Sequence, residues 1–175
     1  MAKTLVLTFI ADDRPGLVEM LSAAVTAQGG NWLESRMAHL AEKFAGIARI
    51  EIPDDNVASF ENALTALEAE GFRLTVEEAA GDAAPAGTML TLDLLGPDHP
   101  GIVHDISHCL AEHGVSVEDL QTDIREAPMG GGTLFYAQAR VRCPASLDED
   151  ELRQALEGLT AAFMVDVTLR EEALA

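Results

Sequence analysis

Asp13-Arg14-Pro15-Gly16-Leu17-Val18 has a second copy, Asp98-His99-Pro100-Gly101-Ile102-Val103, 85 positions later counting from Pro15 to Pro100. Each copy follows a strand-like apolar run, Thr4 to Ile10 or Met89 to Leu95, and each opens a segment with helical spacing. Both are therefore strand-to-helix corners. Proline suits a first helical position, because its φ is already helical and its missing N–H would have had no partner there. The helices are accordingly predicted to start at Pro15 and Pro100, with Asp13 and Asp98 just outside them as acidic caps. Gly16 and Gly101 carry no side chain, so a backbone or a small ligand can come close to the exposed N–H groups. Such a corner can bind a carboxylate. It can also do no more than start a helix.

The repeat divides the 175 residues into two halves of roughly 85 each. In the first half, the almost continuously apolar Thr4–Ile10 fits a strand in the middle of a sheet. Leu17, Leu21, Ala24 and Val25 then share a helical face, which Gly29 and Gly30 end with a left-handed cap. Asn31 to Leu40 reads as a second strand, Glu42-Lys43 as a turn, and Phe44 to Ile52 as a third strand closed by Pro53. Asp54 or Asp55 caps a second helix carrying Val57, Phe60, Leu64 and Leu67, which Gly71 stops. Phe72, Leu74 and Val76 complete the order β-α-β-β-α-β.

The second half repeats that order. Its hairpin, around Pro128-Met129-Gly130-Gly131-Gly132, is six residues longer, since the offset grows from 85 at Pro15/Pro100 to 91 at Pro53/Pro144. Those glycines join two strands and do not open a helix, so a mobile hairpin tip is expected there, not a phosphate loop. Ser146 and Glu149 have the spacing of a capping box, and Val165, Val167 and Leu169 finish the sheet. The predicted architecture is α+β: domain 1 over residues 1–80, a small flexible linker at 81–87 and domain 2 over 88–175. Each domain would place two helices on one face of a four-stranded antiparallel sheet. A domain this small is marginal alone, and the short linker suggests that the two pack together.

Charge excludes some partners. Thirty acidic residues against 11 basic ones give a net charge of −19. Nucleic-acid binding depends on basic groups that neutralise phosphates, so direct DNA or RNA binding is not expected, nor is an anionic membrane surface. No run approaches a membrane span and the N-terminus enters a strand pattern directly, which predicts a cytoplasmic protein. Cys109 and Cys143 are expected to be reduced and structural. His104, His108 and Glu112 lie one turn apart, a row that can ligate a transition metal. Ile102, Ile106 and Leu110 define the buried side, however, so this row faces solvent and no metal site is assigned. No nucleophile elbow, P-loop or zinc signature is present, which favours a binding protein without a cofactor over an enzyme.

The element order, the D-x-P-G corner, and the Gly-Gly-Asn31 and Gly-Val-Ser116 openings of the second strands resemble the ACT domain, an amino-acid-sensing module of ferredoxin-like fold. Two such domains and nothing else resemble the glycine cleavage system transcriptional repressor family. The resemblance implies a small amino acid, glycine or similar, bound where two ACT domains meet. Its contacts would be Asp13, Arg14, Gly16 and Leu17 with Asn31 in the first domain, and Asp98, His99, Gly101 and Ile102 with Ser116 in the second. Corner amides would hold the carboxylate, while Asp13 or Asp98 and the oxygens of Asn31 or Ser116 accept from the ammonium. The serine-binding ACT pattern differs, with asparagine in place of Asp13, Asp98 and Ser116. The resemblance also implies a protein partner, such as a DNA-binding regulator, or alternatively the subunit of an amino-acid metabolic enzyme. Exposed sheet edges make a homodimer an expectation.

Overall fold

The computed structural model describes residues 1–81, 86–163 and 166–171. The chain divides into two compact units, Met1–Ala83 and Ala84–Ala175. The linker expected at 81–87 falls mostly on residues 82–85, outside the described residues, as does Val165.

In the first unit, strand β1 (Ala2–Asp12) leads through the corner to helix α1 (Leu17–Ala27). Strands β2 (Asn31–Leu40) and β3 (Lys43–Pro53) form a hairpin, followed by helix α2 (Val57–Ala69) and strand β4 (Arg73–Glu78). The second unit repeats this with β5 (Thr88–Pro97), α3 (Ile102–Glu112), β6 (Ser116–Glu126), β7 (Thr133–Cys143), α4 (Glu149–Phe163) and β8 (Asp166–Glu171). Strand orders are β2-β3-β1-β4 and β6-β7-β5-β8, with antiparallel pairing throughout. These are two α+β, ferredoxin-like units. Residues on one face of β1 and β3 (Leu5, Leu7, Phe9, Ala48, Ile50 and Ile52) are buried together with Leu17, Leu21 and Val25 of α1 and Phe60 and Leu64 of α2. The central place of β1 explains its apolar run: one face meets the helices, and the backbone pairs on both edges.

Several helix ends differ from the sequence expectation. Pro15 and Pro100 lie before the helices, which begin at Leu17 and Ile102. Gly16 and Gly101 occupy the N-cap position at φ 92°, ψ −2° and φ 91°, ψ −2°, and no side chain caps either helix. These angles are those of the third residue of a type II turn, where proline is favoured second and glycine third. Pro-Gly thus builds a turn before the helix, and Asp13 and Asp98 are not caps. Helix α2 is preceded by a 3-10 turn, Asp54–Asn56, and lacks a side-chain cap; Asn56 Nδ2 instead donates to Gln28 O at 2.9 Å. The Ser146/Glu149 box is not formed, because Asp148 Oδ1 accepts from the Asp150 amide at 2.9 Å and itself caps α4. The first hairpin turns at Ala41-Glu42, and Lys43 already belongs to β3.

Helix ends α1 and α3 are closed alike. Gly30 N–H donates to Val25 O and Val115 N–H to Leu110 O, with Gly29 and Gly114 at φ 67° and 68°. This is the paired closure of a Schellman motif.

Candidate functional site

The corner of each unit is held by the neighbouring hairpin. Asp13 N–H donates to Glu42 O at 2.9 Å, and Asp98 N–H donates to Thr133 O at 3.0 Å. Gly16 O and Gly101 O accept from Met20 and Asp105, starting the helical ladders. The first-turn amides that follow have no carbonyl four residues back to bond, and of these Ile102 N–H closes the turn by donating to His99 O at 3.4 Å. A Cβ built on Gly16 or Gly101 would meet nothing within 4 Å, so both bends are open. The glycines are required by their positive φ, not by a shortage of room.

At the first corner, Asp12, Asp13, His39, Ala41, Glu42 and Lys43 bound an open cleft. Lys43 Nζ pairs with Asp12 Oδ1 and holds the Asp12 carboxyl below its ordinary pKa, mainly through that hydrogen bond. His39 Nε2 lies 3.7 Å from Asp13 Oδ2. Sequence spacing alone did not point to His39; the β2-β3 register, which sets His39 opposite Phe44 beside the turn, brings it there. Arg14 is turned away from the cleft and donates to Glu70 O, at the end of α2, at 2.6 Å. There its charge complements the helix dipole. At the second corner, His99 Nδ1 is 3.1 Å from Pro100 O. Leu17 and Ile102, the first helical residues, are buried.

The structure does not bring Asn31 to Asp13 or Ser116 to Asp98 within a unit. Asp12 pairs with Lys43, whereas Asn31 pairs with Glu51, eight residues further along β3. At about 3.4 Å per residue, the two ends are roughly 27 Å apart. Likewise Pro97 pairs with Leu134 and Ser116 with Arg142, again eight residues apart on β7. Corner and strand opening thus stand at opposite ends of one sheet, because α1 and α3 carry the chain back along it.

His104 and His108 are exposed, with their rings stacked at 6.0 Å, and His108 lies 3.5 Å from Glu112. Among the described residues, no group of three or more His, Cys, Asp or Glu side chains is arranged to hold a metal. Cys109 and Cys143 are free and buried, and burial pushes both thiols up. Among the described residues, no helix is long and apolar enough to cross a membrane.

The sequence matches the ACT domain over residues 3–77 and again over 88–169. The chain belongs to the ACT-domain family. Two whole ACT domains account for nearly its full length. A glycine cleavage system transcriptional repressor from Escherichia coli K12 is 25% identical over 159 residues, covering 89% of this chain and 83% of that protein. The protein of the same name from Shigella flexneri matches equally. The crystal structure of an unknown protein from Galdieria sulphuraria is 30% identical, with a TM-score of 0.89 over 99% of this chain and 100% of that one. A candidate glycine cleavage system transcriptional repressor of known structure, 18% identical, has the same fold, with a TM-score of 0.72 over 99% of both chains.

Proposed function

We propose that this tandem ACT protein is an amino-acid-responsive regulator of the glycine cleavage repressor type, without catalytic activity, acting on transcription through a DNA-binding protein. The carrying observation is the pair of open Pro-Gly bends, alike in backbone, each opening a helix that no side chain caps. A zwitterion suits them. Its carboxylate takes the amides and the helix dipole, and its ammonium takes Asp13 or Asp98. Asn31 and Ser116 contribute only where another ACT unit presents them, since neither reaches the corner of its own sheet. The similarity to the repressors supports the transcriptional reading, and the net charge of −19 supports an indirect one.

Calorimetric titration of the full chain with glycine and other small amino acids tests this reading. Saturable binding is expected. Gly16→Ala adds only backbone strain, whereas Gly16→Asp also sets a carboxylate at the anion position, so Gly16→Asp should bind roughly tenfold more weakly than Gly16→Ala. Equal affinities would exclude the corner. Affinity capture should recover a DNA-binding protein whose retention changes with glycine; recovery of an amino-acid pathway enzyme alone would favour a regulatory subunit.

A further inference from the structure

The net charge of −19 is not spread evenly over the chain. Helices α1 to α4 carry nine acidic residues against one arginine, Arg153, and no lysine. The sheet face of the first unit that points away from α1 and α2 is different. Alternation along β1 and β3 puts Leu7 and Ile50 into the core and their neighbours on this outer face. Its charges cancel: Lys43 pairs with Asp12, Arg49 lies 3.7 Å from Glu34, and Arg36 and Arg73 are matched in number by Glu51 and Glu77.

The middle of that face is apolar or small. Thr8 of β1 stands between Ile47 of β3 and Thr75 of β4, with Val6 and Ile10 before and after it on the same side of the strand. Ile47 is 48% exposed and Ile10 39%, although β1 and β3 are the two inner strands of the sheet. The second unit replaces this centre with polar groups, since Thr91, Asp93 and Gln138 stand where Val6, Thr8 and Ile47 do. Asp93 accepts from Gln138 at 3.0 Å and from Arg170 at 2.9 Å, and Arg142 donates to Glu118 at 2.8 Å. Covering that second face would strip water from charged groups. Covering the first removes isoleucine from water.

We propose that the open sheet face of the first unit docks on the same face of a second copy of this chain, forming an isologous dimer. Charge selects the occupant. Two bodies of net charge −19 repel each other where their acidic helices meet, and the neutral face lets them approach at the least electrostatic cost while shielding Ile10 and Ile47. The area is sufficient. Four strands about 4.8 Å apart, the longest of them about 37 Å at ~3.4 Å per residue, offer up to roughly 700 Å² per copy, close to the ~800 Å² that each partner of a standard interface buries. The proposal places the contact on the sheet face and not on its edges, and it stands independently of the amino-acid reading of the corners.

Sedimentation equilibrium of the full chain tests it. A monomer–dimer equilibrium is expected, tighter in roughly 0.5 M than in roughly 0.05 M sodium chloride, because salt screens the repulsion between the two acidic bodies. Ile47→Glu should weaken the dimer roughly tenfold or more, since it buries a charge at the centre of the contact. Ile10→Glu should do the same and decides the matter if Ile47→Glu does not fold, as judged by circular dichroism. Leu95→Glu, at the position in the second unit that matches Ile10 and equally exposed at 41%, should leave the dimer intact. A chain that stays monomeric at millimolar concentration overturns the proposal. So does a dimer that survives Ile47→Glu and Ile10→Glu, which would be joined edge to edge, one that Leu95→Glu weakens as much, or one that salt loosens.

Discussion

The two halves solve the same packing problem with opposite choices. In the first, Gly30 lies against Ile52, and a Cβ on Gly30 would stand 2.4 Å from Ile52 Cδ1. In the second, Val115 takes the glycine's place, and the smaller Cys143 takes that of Ile52. Gly46 likewise leaves room for Phe9, and Ala137 matches Leu94. Large and small have been exchanged across the same contacts, as close packing requires. The bends, by contrast, agree to within a degree of φ. Side-chain packing differs between the copies while the backbone of the bends does not.

Breaking the exchange should have the largest effect on stability. Gly46→Ala would set a Cβ 2.8 Å from Phe9 Cζ, Met37 Cγ and Arg36 O, and overpacking of this kind costs about 1–3 kcal/mol. Adding Phe9→Leu should recover part of that cost, a coupling that urea unfolding of both single variants and the double variant would measure. Additive losses would mean that the two residues do not share the space. Gly16→Ala and Gly101→Ala should each cost about 1 kcal/mol from left-handed strain alone and should match each other, since neither Cβ meets a neighbour. A marked inequality would show that the bends are not equivalent.

Arg14 marks a smaller difference. Arg14→Ala loses the hydrogen bond to Glu70 O and should lower stability by about 1 kcal/mol. At the counterpart position, His99 Nδ1 is 3.1 Å from Pro100 O of its own corner. Asp12 gives the smallest effect. Its folded pKa is depressed by Lys43, so its contribution is present above the unfolded value near 3.8 and is lost as pH falls through the lower folded value. Asp12→Asn should therefore remove a small increment at neutral pH and none once the pH lies below the folded-state value. Pro97, at the equivalent position, has no group to titrate.

Element order and sheet type were legible because strand and helix periods persist over whole segments and the duplication repeats them. The start of each helix was not, because Pro-Gly signals both a first helical turn and a type II turn; only the φ of Gly16 and Gly101 separates the two. The place of Asn31 and Ser116 was hidden for another reason: the resemblance gives residues without the distance along the sheet between them. His39 needed the hairpin register, which no local pattern encodes.

The central claim is that the twin bends are where a zwitterion meets the chain. Two-dimensional 15N–1H spectra recorded during a glycine titration test it most directly. The amides of Leu17 and Val18, or of Ile102 and Val103, should shift saturably and ahead of all others. Saturable shifts confined to residues away from both bends, or none at millimolar glycine, would contradict it.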